Sequence, residues 1–438
     1  MEPSSLPRPG NVRRERSALE LTKRFVEYVS LKEALKTLRS HTSISPAREL
    51  VPLGGAYQRI LFEDVISAHD IPMKDSAHMD GFAVRSSDLA GASEAHSVSL
   101  RSVGGSPLGV VPKKVVKRGE AHSVLTGGFM PSGADAVVQV ERTRGSGSSI
   151  VFTRAPAQGE FVYTAGRDVR KGEVVLQKGR LLRGSDIVLF GALHVDKVPV
   201  YAKPRVAIIP TGNELTEDIR DDRPGRVVET HSFLLSRMIE GAGGIPVQMP
   251  IVRDDLDEIT DCISGALKTA DVVLTLAGSS VGEADLTENA IEALGKPGVL
   301  VHGMKVHRGR VMGFGAVAGK AIIILPGPIQ GAANAFLLMA YPLIRSFLGR
   351  GFEQPLSIPA AMSNAWEAGD RYPDFSKVVY VKIDLSGPDV RVHASVGETE
   401  KMTFLTQNDG YVLVDERTTS LAKGDRVRVH LLPGLSPY

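Results

Sequence analysis

Three short segments carry the residue types that hold phosphates and metal ions. They are Thr211-Gly212-Asn213-Glu214, Gly278-Ser279-Ser280-Val281-Gly282-Glu283-Ala284-Asp285 and Pro326-Gly327-Pro328, which follow the apolar runs VAIIP, DVVLTLA and AIIIL. Small residues ahead of a helix let backbone N–H groups and hydroxyls approach an anion closely, as phosphate cradles require. For any one loop, a strand-to-helix turn that merely needs glycine is the competing reading. Carboxylates accompany the loops: Glu214, Asp254 and Asp285, with Asp80 and Asp168 farther upstream. Acids beside a phosphate cradle are what Mg²⁺ needs, because it takes one or two carboxylates together with phosphate oxygens and water. Each acid also has a plain structural use, Asp254 as the N-cap of DDLDEIT and Asp80 as the anchor of a turn. His302 and His307 flank a strand end with Arg308 and Arg310, a set that suits either an anion grip or a solvated basic edge. There is no Walker A, GxGxxG, GxSxG or HExxH pattern, so the sequence gives little support to a common NTPase, dehydrogenase, serine hydrolase or zinc protease.

The elements that must position these residues alternate from Lys203 onward. VAIIP, PVQMPIV, DVVLTLA, VLVHGMKV and AIIIL read as strands, separated by the helical segments HSFLLSRMIEGAGG, DDLDEITDCISGALKTA and ADLTENAIEALG. Apolar strands alternating with helices predict a mainly parallel sheet covered on both faces, which binds ligands outside the carboxyl ends of its strands. Upstream, SLKEALKTLRS has helical spacing, and VPLGGAYQRILFEDV continues through a Gly-Gly break toward another helical turn. Residues 84–165 are rich in β-branched residues and turns and predict a small all-β domain, inserted between segments of helical character. From Phe352 onward, KVVYVKIDLSG, VRVHASVG, GYVLVDE and DRVRVHLL predict a second β domain.

Composition narrows the classes. The 438 residues hold 52 Lys plus Arg against 50 Asp plus Glu, too balanced for a protein that coats nucleic acid. Forty-five glycines and 26 prolines, with 5% aromatics, favour many turns and short strands. One cysteine, Cys262, excludes an intramolecular disulfide framework and points to a reducing compartment, the cytoplasm. The opening MEPSSLPRPGNVRRERS lacks an apolar stretch and reads as a loose basic tail. Ala321–Ile344 is long enough to span a bilayer, but Pro326, Gly327, Pro328, Gln330, Asn334 and Pro342 break it, so a strand, a turn and a packed helix are expected.

The motifs, taken in order, resemble the molybdopterin molybdenumtransferase family, the bacterial and archaeal MoeA proteins and the gephyrin E domain. The carriers are SAHMDGFAVR, VLTGGFMPSGADAVVQVE, AGRDVRKGEVVLQKG, PRVAIIPTGNEL, VRDDLDEI, GSSVGEAD and the LPG of Leu325–Gly327, spread from Leu31 to the C-terminal part. The resemblance implies a multidomain α/β plus β fold. Its parts would be a basic tail (1–29), a discontinuous helical domain (30–74 and 166–203), an inserted β domain (75–165), a molybdopterin-binding α/β domain (204–350) and a C-terminal β-barrel (351–438). It also implies a homodimer with no nucleic-acid or membrane partner. The implied reaction inserts molybdate, or tungstate, into adenylylated molybdopterin with Mg²⁺-dependent release of AMP. Asp80, Asp168, Glu214, Asp254 and Asp285 match the family's functional acids, with Glu214 and Asp285 as the Mg²⁺ ligands. Thr211, Gly212, Ser280 and Gly282 match loop positions that hold the pterin nucleotide, and His307, Arg310, Pro326 and Gly327 fall in the oxyanion loops.

Departures fall in those oxyanion loops. His307-Arg308-Gly309-Arg310-Val311 stands where Lys-Pro-Gly-Lys-Pro is usual, and Pro326-Gly327-Pro328-Ile329-Gln330-Gly331 where Pro-Gly-Asn-Pro-Val-Ser is usual. The second loop thereby loses an amide and a hydroxyl. Glu229-Thr230-His231 replaces Asp-Ser/Thr-Asn, Gly-Glu-Thr-Glu-Lys-Met (397–402) replaces a Ser-rich stretch, and Arg371 is a candidate match for a family arginine. Two readings follow: an active metal insertase, on the retained acids, or a non-catalytic pterin-binding or scaffold paralogue, on the altered loops.

Overall fold

The computed structural model describes residues 28–145, 147–276, 286–369, 372–395 and 403–434, with the backbone of 281–285. Two compact units divide the chain: Arg48–Val200, and the residues up to Ala47 joined with those from Tyr201 onward.

In Arg48–Val200 the β-branched segments form a six-stranded sheet. Its order is Ala136–Gln139, Gly81–Val84, Glu120–Val124, Val98–Gly105, Ser149–Phe152, Thr143–Arg144. Val84, Leu100, Val138, Ile150 and Phe152 form its core. A second core gathers Phe190 of the helix Gly184–Ala192 with Leu61, Leu182 and Val198. The VPLGGAYQR run makes no α-helix; it gives the strand Arg48–Pro52 and one 3-10 turn, Leu53–Ala56. Pro52 lacks an N–H, and Gly54 and Gly55 lose more backbone entropy in a helix than other residues do.

The other unit is built on a six-stranded sheet ordered Ile245–Gln248, Arg205–Pro210, Val272–Leu276, Lys320–Leu325, Gly313–Val317, Pro297–His302. The first four strands pair in parallel, and the last two turn antiparallel. Each central strand divides its side chains between two cores. Val206, Ile208, Val272, Leu274, Ile323 and Leu325 enter one; Ala207, Ile209, Val273, Ile322 and Ile324 enter the other. Burial on both faces is why these strands are continuous apolar runs. Gly313–Val317 escapes the sequence reading because its glycines hide the strand pattern.

Helix Leu31–His41 starts at Ser30, whose side chain and that of Glu33 form a capping box, and buries Ala34 and Leu38 in the first of these cores. The apolar 321–344 region resolves into the strand Lys320–Leu325, helix Ile329–Ala335, a π turn Phe336–Ala340 and helix Tyr341–Phe347. Among the described residues no helix is long and apolar enough to cross a membrane. The C-terminal part closes a five-stranded barrel, ordered Ser357–Met362, Arg391–Ala394, Lys377–Asp384, Gly410–Val414, Arg426–Leu431. Val379, Val381, Val412 and Val414 fill it, whereas Tyr380 and Tyr411 join the core of the α/β sheet.

Candidate functional site

Register brings the ends of the strands that precede the candidate loops to one edge. Pro210, Leu276 and Leu325 stand opposite one another on three neighbouring parallel strands, about 4.8 Å apart per step. The chain therefore leaves all three strands at one level, at their carboxyl ends. Thr211 is buried; its hydroxyl donates to the Leu276 carbonyl (2.6 Å), so only its lone pairs remain for a ligand. The Gly212 amide donates to Val252 O (3.0 Å). Glu214 folds its carboxylate against Gly212, where a Cβ would lie 2.7 Å from Oε1.

Asp254 and Asp255 divide two tasks. Asp255 is the N-cap of helix Leu256–Thr269, accepting from the Asp257 and Glu258 amides. Asp254, the cap candidate in the sequence, instead accepts from the Asn213 amide (3.0 Å) and ties the helix entry to the Thr211–Glu214 loop. Arg226 holds the same loop from the other side, donating to the carbonyls of Asn213 (2.8 Å) and Leu215 (2.7 Å).

The two loops that depart from the family pattern form a single cavity of about 520 Å³. It is lined by Arg308 to Val311, by Pro326 to Gly331 and by His231. Arg308 has φ +57°, and its carbonyl accepts from the Asn334 amide (3.1 Å). Asn334 is fully buried and in turn accepts from the Tyr380 hydroxyl (2.8 Å), so a barrel tyrosine fixes the bend of the arginine loop. His307 is positioned by its amide, which donates to Ser376 O (2.8 Å). Arg310 is exposed; its guanidinium lies 5.2 Å from the Tyr372 ring centroid and donates to that tyrosine's hydroxyl. His302 belongs to neither sequence alternative, because it pairs with Glu288 of helix Val281–Ala293. Burial lowers the His231 pKa below the usual imidazole value, opposed by the Glu229 charge and the Gly327 backbone.

Asn334, Tyr380 and Tyr372 were beyond sequence reasoning, since nothing local ties a barrel residue to a loop some sixty positions earlier in the chain. Asn334, a polar residue inside an apolar helical run, was the one visible signal.

The remaining candidates are placed as follows. Asp80 and Asp168 belong to the Arg48–Val200 unit, and both are exposed. One Asp80 oxygen accepts from the Thr126 amide (2.6 Å) and hydroxyl (2.8 Å), bonds that hold its pKa below the usual carboxylate value. The Asp168 amide donates to Ile71 O (3.0 Å). Ser280, Arg371 and residues 397–402 lie outside the described residues. Gly282 and Asp285 fall on helix Val281–Ala293, where side chains are described only from Leu286 onward.

A Mg²⁺ ion suits the donor set at the strand ends. Glu214 offers hard carboxylate oxygens beside Gly212, with the Asp254 carboxylate anchoring the same loop through the Asn213 amide.

Comparison with known proteins agrees with this architecture. Residues 29–193 match a family model described as "MoeA N-terminal region (domain I and II)", and residues 207–346 one described as "Probable molybdopterin binding domain". A molybdopterin molybdenumtransferase of Nostoc sp. is 32% identical over 70% of this chain and 71% of its own. One of Haemophilus influenzae is 29% identical over 92% of this chain and 100% of its own. The crystal structure of a molybdopterin biosynthesis MoeA protein from Pyrococcus horikosii superposes with a TM-score of 0.82 at 32% identity, covering 93% of this chain and 99% of that one. On these matches, and on the sheet, barrel and strand-end loops described above, the chain belongs to the MoeA family of molybdopterin molybdenumtransferases.

Proposed function

We propose that the protein inserts molybdenum from molybdate, or tungsten from tungstate, into adenylylated molybdopterin and releases AMP. The observation that carries this reading is the cavity at the strand ends, in which two arginine-bearing positions meet the Pro326–Gly331 loop. Guanidinium groups grip tetrahedral oxyanions as they grip phosphate. The altered loops, which motivated the non-catalytic alternative, line a cavity that includes Arg308 and Arg310, and the curated relatives named above are transferases.

In this reading Glu214 and Asp285 would hold Mg²⁺, with Asp254 keeping the Glu214 loop in place. The ion would supply charge neutralisation at the phosphoanhydride. Thr211, Gly212, Ser280 and Gly282 bind the pterin nucleotide through small-residue loops that admit its phosphates. His307, Arg310, Pro326 and Gly327 belong to the oxyanion side, where Arg308 and Arg310 balance its charge. Asp80 and Asp168, in the Arg48–Val200 unit, are the further acids this reading assigns. The reading includes a homodimer acting in the cytoplasm, with the domain boundaries given by the sequence. Purified protein incubated with adenylylated molybdopterin, Mg²⁺ and molybdate or tungstate is expected to release AMP. Absence of release with both anions would overturn the proposal.

A further inference from the structure

Arg310 lines the cavity between the two altered loops, and a residue some sixty positions later in the chain holds its side chain. The Tyr372 hydroxyl accepts a hydrogen bond from Arg310 Nη1, and the guanidinium carbon lies 5.2 Å from the Tyr372 ring centroid. Tyr372 is not one of the cavity's walls, so it meets the cavity only through the arginine. The tyrosine is itself firmly placed. Its φ of +59° is a left-handed conformation that bulky residues seldom adopt and that persists where the surroundings over-determine it. Those surroundings are present: the Tyr372 ring packs 4.8 Å from that of Phe375, which is buried and in edge contact with Tyr28 at 5.1 Å. The Tyr372 carbonyl accepts from the Phe375 amide (3.2 Å). Ser376 then pairs with the backbone ahead of the arginine loop, donating to Lys305 O (3.0 Å) and accepting from the His307 amide (2.8 Å). Backbone pairing thus fixes the tyrosine segment to the loop that carries Arg310.

We propose that Tyr372 is a positioning residue that aims the Arg310 guanidinium at the tetrahedral oxyanion. The inference rests on the oxyanion-insertion reading above. Residue type favours it. A guanidinium is planar and presents its N–H donors in a rigid fork, so its grip on an oxyanion depends on orientation, whereas a lysine ammonium acts as a point charge on a flexible stem. Arg310 stands where lysine is usual in the family pattern, and the Tyr372 ring and hydroxyl supply the orientation that arginine needs and lysine does not. One N–H goes to the tyrosine hydroxyl, and the rest of the fork stays available to the anion. An exposed arginine left to itself samples many rotamers, and a side chain restrained beforehand loses less entropy when the anion binds.

The test measures KM for molybdate and kcat by AMP release, using the full-length protein, in Tyr372→Leu, Tyr372→Phe, Arg310→Ala and the double variant Tyr372→Leu/Arg310→Ala. Tyr372→Leu is expected to raise KM about tenfold with kcat at saturating molybdate nearly retained, the loss of a hydrogen bond and a ring contact to one charged group. Tyr372→Phe keeps the ring and loses only the hydroxyl, so KM should rise about threefold. In the Arg310→Ala background, Tyr372→Leu should raise KM no further, because the tyrosine acts through the arginine; a purely structural residue would add its full penalty there. If Tyr372→Leu does not fold, Tyr372→Phe in the two backgrounds makes the same comparison. Equal rises in KM with and without Arg310, or no rise in either Tyr372 variant, overturn this inference and leave the proposed function standing. Parent protein that releases no AMP with molybdate or tungstate overturns both.

Discussion

At the scale of single residues, Gly212 and Glu214 are coupled by contact. A methyl group at Gly212 would sit 2.7 Å from Glu214 Oε1, and the atom it meets is the free end of a flexible side chain. Gly212→Ala should therefore displace the carboxylate, and at φ +154° the added Cβ also strains the backbone. AMP release is expected to fall on the order of a hundredfold, the usual penalty for misplacing a catalytic group by about an ångström. The melting temperature should fall as well, through backbone strain of about 1–3 kcal/mol at this glycine, and AMP release equal to the parent's in the folded variant would contradict the contact described. The neighbouring acids divide in the same way. Asp255→Ala removes the N-cap of Leu256–Thr269 and should cost about 1 kcal/mol in urea unfolding, with AMP release preserved. Asp254→Ala frees the Asn213 amide and should lower AMP release with a smaller change in stability. If the two variants exchanged these effects, the assignment of cap and loop anchor would be reversed.

At the scale of elements, the Pro326–Gly331 loop is fitted to its own sequence. A Cβ at Gly331 would lie 2.9 Å from Pro326 Cβ and 3.5 Å from the Arg308 carbonyl. Restoring the family serine alone, Gly331→Ser, should destabilise the protein by about 1–3 kcal/mol through overpacking. Chemical denaturation checks this, and an unchanged midpoint would show that the loop relaxes freely. The adjoining helix was legible as a helix, from the Ala/Leu-rich run after PGPIQ. Its buried Asn334 was legible only as an oddity, because its partners Arg308 and Tyr380 come from a hairpin loop and a barrel strand.

At the scale of the whole molecule, acid should weaken the fold in two stages. Burial holds His122, His231 and His430 below the usual imidazole pKa. A depressed folded pKa gives stability that is complete above the unfolded value, about 6.5, and lost as pH falls toward the folded value. Carboxylates come next. Asp80 is held down by Thr126, Asp384 by Ser386, Asp415 by Thr418 and Glu353 by Arg350, so their contribution is lost below about pH 4. Urea midpoints measured across this range should be flat above neutrality, decline gently below about pH 6.5 and fall steeply below about pH 4. A midpoint that rises on mild acidification would contradict the buried, neutral histidines.

The sequence by itself determined the two β regions, the α/β sheet apart from the strand Gly313–Val317, and the family, because apolar periodicity and motif order are local properties. It also singled out Glu214, Asp254 and the oxyanion loops as candidates. Tertiary structure alone decided what each candidate touches. Asp254 and Asp255 are adjacent acids with equal claim to a helix cap, and only the position of the Asn213 loop separates them. His302 and His307 flank one strand end, yet only folding turns the first toward Glu288. His231 and Gln330, nearly a hundred positions apart, share a cavity because a parallel sheet delivers distant strand ends to one edge. Contacts of that kind depend on register and packing between segments far apart in the chain, which no local pattern encodes.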